Sequence, residues 1–188
     1  PLKLEKLNQV FDEISISSLN FFIKKLLFSI PELKINQSKI PIQVTKEHIE
    51  QWFVQSLKNA SSVGSGSHPV DLVSEKDKWC ADAKMLKCKI DKNFNLTNSD
   101  SGETSISQKF NDKNFGNKTL DELFRDLKYN HIWECWKNII IDKYEPVYKV
   151  YKPNNIYYFF ILNAETKFHI CAFELKLEKI NNTKINKE

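Results

Sequence analysis

Apolar residues fall at Leu4, Leu7, Val10, Phe11 and Ile14, the three-and-four spacing of one helix face. Ser15, Ser17 and Ser18 predict a break, and a second helix over residues 19–30 should end ahead of Pro31. Such a helical pair serves equally as core cover or as a dimer surface. Residues 31–44 read as a connector, with Pro41 marking an extended piece. Thr45 then offers a hydroxyl cap to a third helix, whose buried stripe is Ile49, Trp52, Phe53 and Leu57.

Beyond Gly64 and Gly66 the pattern changes. Two short apolar-rich runs, residues 70–74 and 79–86, flank Glu75-Lys76-Asp77-Lys78, a polar connection of hairpin length. Pairing Ser74 with Trp79 sets Asp71 opposite Asp82. Side-chain alternation puts Lys84 on the face of Asp82, about 7 Å along the strand. Cys88 to Ile90 continue the second strand, and residues 91–102, rich in Asn, Asp, Ser and Lys, read as an exposed loop. Residues 103–110 read as strand to helix. Thr119 caps a helix over residues 119–128, with Asp121 and Glu122 where its dipole favours acids. Ile132, Trp133, Trp136, Ile139 and Ile140 form another apolar helix face. Residues 147–151, 156–162 and 168–177 are rich in aromatic and β-branched residues and predict strands, the last two joined as a hairpin by residues 163–167. A frayed tail is expected over residues 178–188. No internal repeat is visible. The pattern predicts an α/β fold, a mixed sheet with helices on both faces, in one domain.

Composition narrows the class. With 188 residues, 41% apolar and 12% aromatic, the chain can bury a core of its own. No run reaches membrane-span length and no secretory leader opens the sequence, so a soluble, cytoplasmic protein with no membrane partner is expected. The net charge of +4 permits nucleic-acid binding without demanding it. Arg125 is the only arginine, and the other 27 cations are lysines. Lysine holds phosphate, whereas arginine is the usual bidentate reader of guanine, so base reading would fall to Asn, Gln, Lys and backbone. An A/T-rich coding bias explains the same composition. Cys80, Cys88, Cys135 and Cys171 show no metal-type spacing and read as buried thiols.

The candidate chemistry lies in the hairpin. Carboxylates directly opposed on paired strands repel, and a divalent cation is the simplest compensation. Mg²⁺ takes one or two carboxylates plus water and phosphate oxygens, which Asp71 and Asp82 can begin to supply. Lys84 would then hold a phosphate oxygen or orient the attacking water. An acid two residues before a lysine occurs five times here, against about three by chance. Only Asp82/Lys84 sits on a strand behind an acidic hairpin partner. Glu50, beside the stripe of the third helix, can reach the same place, while Glu47 lies farther round. The glycines at 64 and 66 lack the Gly-Lys-Ser/Thr of a phosphate loop and read as a sharp turn.

Gly-x-Gly-Ser-His-Pro-Val-Asp over residues 64–71, ten further residues, then Asp82-Ala83-Lys84 resembles the PD-(D/E)XK nuclease superfamily, the fold of many type II restriction endonucleases. The resemblance implies a restriction-endonuclease-like catalytic core over residues 45–110, following a helical segment at 1–44. Helices and strands over 119–178 and a tail at 179–188 would complete a single domain over residues 1–188. It assigns Glu50 (or Glu47), Asp71, Asp82 and Lys84 to catalysis, and Asp71, Asp82 and the Ala83 backbone to Mg²⁺. Ser67, His68, Gln108 and Lys109 would face DNA. The implied activity is hydrolysis of phosphodiester bonds at a specific sequence in double-stranded DNA by a homodimer, leaving 5′-phosphate ends. Two alternatives stand beside it: a non-catalytic DNA-binding or assembly module, and a structure-selective repair or junction nuclease. In their bland readings, His68 is a loop residue, Gln108 and Lys109 belong to a solvated helix, and the loop at 91–102 is a surface insertion rather than a groove reader.

Overall fold

The computed structural model describes residues 1–29, 35–36, 44–64, 68–93, 95–99, 118–164, 167–180 and 182. Its strands are β1 (Ser61–Ser62), β2 (Leu72–Ser74), β3 (Trp79–Ile90), β4 (Leu96–Ser99), β5 (Asn155–Ala164) and β6 (Lys167–Leu175). They form one mixed sheet in the order β1-β2-β3-β5-β6, with β4 paired to the outer part of β3. β2 meets β3 antiparallel, Ser74 opposite Trp79. β5 runs parallel to β3 from Trp79↔Asn155 to Lys87↔Asn163, and β6 returns antiparallel. The first five residues of β3, Trp79 to Ala83, are therefore buried, as a strand covered on both sides and both faces must be.

The hairpin register has a local cause. In the turn, Ser74 Oγ donates to Asp77 Oδ2 at 3.1 Å and accepts from the Asp77 amide at 3.2 Å, while Asn59 Nδ2 donates to the same carboxylate at 3.0 Å. Lys78 takes a left-handed φ of 54° to close it. These bonds fix the register from Ser74↔Trp79 to Leu72↔Ala81.

Helices α1 (Leu4–Val10), α2 (Glu13–Phe28) and α3 (Lys46–Ser56) belong to the same unit as the sheet. Phe11, Leu19, Ile49, Phe53 and Leu57 close over Leu72, Trp79, Ala81, Ala83, Phe159, Ile161 and Ala172 in one cluster. Phe159 is its centre, with the Phe11, Phe53 and Trp79 rings 4.9, 5.5 and 5.7 Å away. The expected break at Ser15 to Ser18 is not there. The chain breaks instead at Phe11 and Asp12, where the Asp12 carboxylate accepts from both the amide and hydroxyl of Ser15 at 2.8 Å and starts α2. Ser15 is thus spent on a cap and points inward, and the helix runs on through Ser17 and Ser18.

The chain divides into two compact units, Pro1–Ser101 with Pro153–Leu175, and Gly102–Lys152 with Lys176–Glu188. In the second, α4 (Leu120–Arg125) opens on a reciprocal cap between Thr119 and Glu122 and is followed by α5 (Tyr129–Tyr151). Leu123, Ile132, Cys135 and Ile139 pack together between them. The strand expected over residues 147–151 is helix. Buried Ile132, Cys135, Ile139, Tyr144 and Val147 keep one helical face continuous past Pro146, and the end comes at Lys152, left-handed at φ 45°, ahead of Pro153. Side-chain burial on that face overrides the β-branched preference of Val147 and Val150. The expected tail begins with a short helix, α6 (Leu177–Ile180), which takes Leu177 from the predicted strand. Part of the loop expected at 91–102 is also corrected: the Asp91 carboxylate accepts from the Asn93 and Asn95 amides at 2.8 Å, and the tight turn sends β4 back along β3. Among the described residues no helix is long and apolar enough to cross a membrane.

Candidate functional site

Asp71 stands one residue before β2. Its amide donates to the Ala81 carbonyl at 3.0 Å, although Ala81 is already the partner of Leu72, so the regular ladder ends at Leu72 and the pairing at Asp71 is irregular rather than a direct match with Asp82. Both carboxylates are buried, Asp71 to 8% and Asp82 to 2% residual exposure. Burying two acids side by side demands compensation, and the surroundings supply it. The Ala83 amide donates to Asp71 Oδ2 at 2.9 Å. Lys84 Nζ lies 3.7 Å from Asp71 Oδ2 and 3.6 Å from Asp82 Oδ1, ion-pair distances to both.

A second ammonium comes from α3. Lys46 Nζ is 3.0 Å from Asp71 Oδ1 and 3.2 Å from Glu50 Oε1, one helical turn along. Lys46 occupies the first turn of α3, where the helix dipole disfavours a cation, so its carboxylate partners hold it against that field. Glu50 is thereby tied to Asp71 through Lys46. Of the two glutamates expected near the site, Glu50 is in the cluster and Glu47 is exposed in the first turn of α3, beside the capping Thr45.

Burial pushes the Asp71 carboxyl up, but the Ala83 amide, Lys84 and Lys46 outweigh it and hold the group below the ordinary carboxylate range. Glu50 moves the opposite way: burial and the neighbouring Asp71 charge raise it, and Lys46 offsets them only in part. Burial lowers Lys46, yet Asp71 and Glu50 more than reverse this and strengthen its hold on the proton. Cys80, on the Asp82 side of β3, is pushed up to about 11 by burial, which makes it a poor nucleophile at neutral pH.

The structure thus brings Glu50, Asp71, Asp82, Ala83 and Lys84 to one end of the sheet. His68 is exposed, three residues ahead of Asp71. Gly64, in the turn before it, has φ of +98°, a conformation that favours glycine. Ser67, Gln108 and Lys109 lie outside the described residues. Lys46 is the member that sequence reasoning missed. The available signal was its i,i+4 spacing to Glu50, with a cation placed where a helix start disfavours one. No family model, curated protein or solved structure matches the chain.

Proposed function

We propose that this is a Mg²⁺-dependent endodeoxyribonuclease, hydrolysing phosphodiester bonds of double-stranded DNA as a type II restriction enzyme does. The carrying observation is that two buried carboxylates, Asp71 and Asp82, both lie within ion-pair distance of Lys84. Among the described residues no three His, Cys, Asp or Glu side chains form a metal-holding group. Two carboxylates nevertheless fit Mg²⁺, which commonly takes one or two from protein and completes its shell with water and phosphate oxygens. Asp71, Asp82 and the Ala83 carbonyl would hold the ion, which when bound supplies charge stabilisation at phosphorus and acidifies a water.

The chain's own groups have separable tasks. Formally, Glu50, Asp71 and Asp82 carry three negative charges against the two positive charges of Lys46 and Lys84, so the cluster favours a cation. Lys84 is the side chain placed to orient the attacking water or to hold a non-bridging phosphate oxygen. Lys46 and the Ala83 amide fix the orientation of Asp71. Glu50 acts through Lys46 as a positioning residue.

One observation favours a second reading. Each aspartate already has an ammonium at 3.0 to 3.7 Å, an arrangement equally suited to a structural ion-pair cluster in a non-catalytic DNA-binding or assembly module. Plasmid DNA incubated with Mg²⁺ or with EDTA, using the wild-type chain, Asp82→Asn and Lys84→Ala, separates the two. A nuclease gives Mg²⁺-dependent cutting that falls at least about a hundredfold in both variants while circular dichroism stays native. In that case Asp82→Asn, which relieves the carboxylate repulsion, leaves the melting temperature unchanged or higher. Binding without cutting by the wild-type chain, with a lower melting temperature in Asp82→Asn, refutes the nuclease. Discrete fragments identify a sequence-specific enzyme, and cutting confined to branched substrates identifies a junction nuclease.

A further inference from the structure

Helix α2 is apolar on two sides. Its inner side buries Leu19 and Ile23 with Ser15, and Phe22 stacks on Trp52 of α3 with ring centroids 6.3 Å apart. Its outer side carries Ile14, Phe21 and Phe28 at 76%, 62% and 87% exposure. Seven residues separate each from the next, so with about 20° of drift per heptad they form one stripe along the whole helix. A solvated helix face carries charged residues at such positions, and three large apolar side chains left in line mark a contact surface.

The pattern also states what covers it. Phe21 is midway between Ile14 and Phe28, so a copy of α2 laid antiparallel across the first matches Phe21 with Phe21 and Ile14 with Phe28 on each side. The charges agree with that direction. Glu13 lies at the start of α2, and the exposed Lys24 lies towards its end on the same flank of the stripe. Antiparallel packing sets this flank against itself and brings each copy's Glu13 towards the other's Lys24, whereas parallel packing sets it against the opposite flank, where the exposed Lys25 meets Lys24. We propose that α2 is the two-fold interface of a homodimer, Phe21 at its axis. This stands independently of the chemistry at Asp71.

Analytical ultracentrifugation of the full chain tests it. The mass should rise from 22.1 kDa towards twice that value and level off, with a dissociation constant on the order of 10 μM for a contact of this modest size. Phe21→Glu, at an exposed position, should remain at the monomer mass throughout with an unaltered circular dichroism melt. Glu13→Lys and Lys24→Glu should each weaken association about threefold, and the double variant should recover the wild-type constant to within about twofold. A monomer at every concentration, association without a plateau at two copies, a Phe21→Glu dimer, or charge losses that add without recovery would each overturn the proposal.

Discussion

Asp71 and Glu50 share the Lys46 ammonium yet titrate in opposite directions, and this sets how the site answers to pH. The Asp71 carboxyl is held low, so its stabilising contribution is complete above the ordinary carboxylate range and disappears as pH falls through its folded value. Glu50 is held high, so folding favours its protonated form and that gain is lost as pH rises through its folded value. Carboxyl-detected NMR titration should therefore show Glu50 taking up its proton at higher pH than Asp71. Lys46→Met should raise the Asp71 value, and the reverse order of the two acids would contradict the cluster described here. At this scale the Ser74–Trp79 register was legible from sequence, because a four-residue polar turn between alternating strands admits few registers, while the irregular pairing at Asp71 was not. Lys46 was not, because its distance to Asp71 depends on how α3 packs, which no local pattern encodes.

Among the elements, β3 and β5 form the centre of the sheet and Phe159 fills the space between them and α1 to α3. Phe159→Ala removes a fully buried ring with four aromatic neighbours and should cost about 3–5 kcal/mol, read as a fall in the denaturation midpoint with little change in slope. The elements that were legible in advance carried two agreeing signals: a cap with a stripe in α3, alternation with a turn in β2 and β3, and aromatic runs joined by a short connection in β5 and β6. Those misread carried conflicting ones. Val147 and Val150 favour strand by type but continue a buried helical face, and Ser17 and Ser18 resemble a break but follow a cap that had already formed at Asp12. β4 is defined by its backbone pairing, the Thr97 hydroxyl donating to the Lys89 carbonyl at 3.2 Å and the Asp91 turn, none of which composition reveals, so composition alone reads it as loop.

For the molecule as a whole, charge comes mainly from lysine, and the sequence pI is about 8.8 with a net charge of +4. If DNA is the partner, fluorescence anisotropy at rising salt should show affinity falling with a log–log slope of about −4, as for roughly four phosphate contacts, and a flat response would argue against a phosphate-led complex. The parallel union of β3 with β5 has a further consequence for how the chain is made. Trp79 pairs with Asn155, 76 positions later, and the nine pairs that follow this register all wait on the same late strand. During synthesis the acidic hairpin can close early, but its long second arm keeps one flank open until most of the polypeptide has emerged. A nascent chain stalled ahead of that point would display a long unmated ribbon edge, a target for chaperones and a route to aggregation.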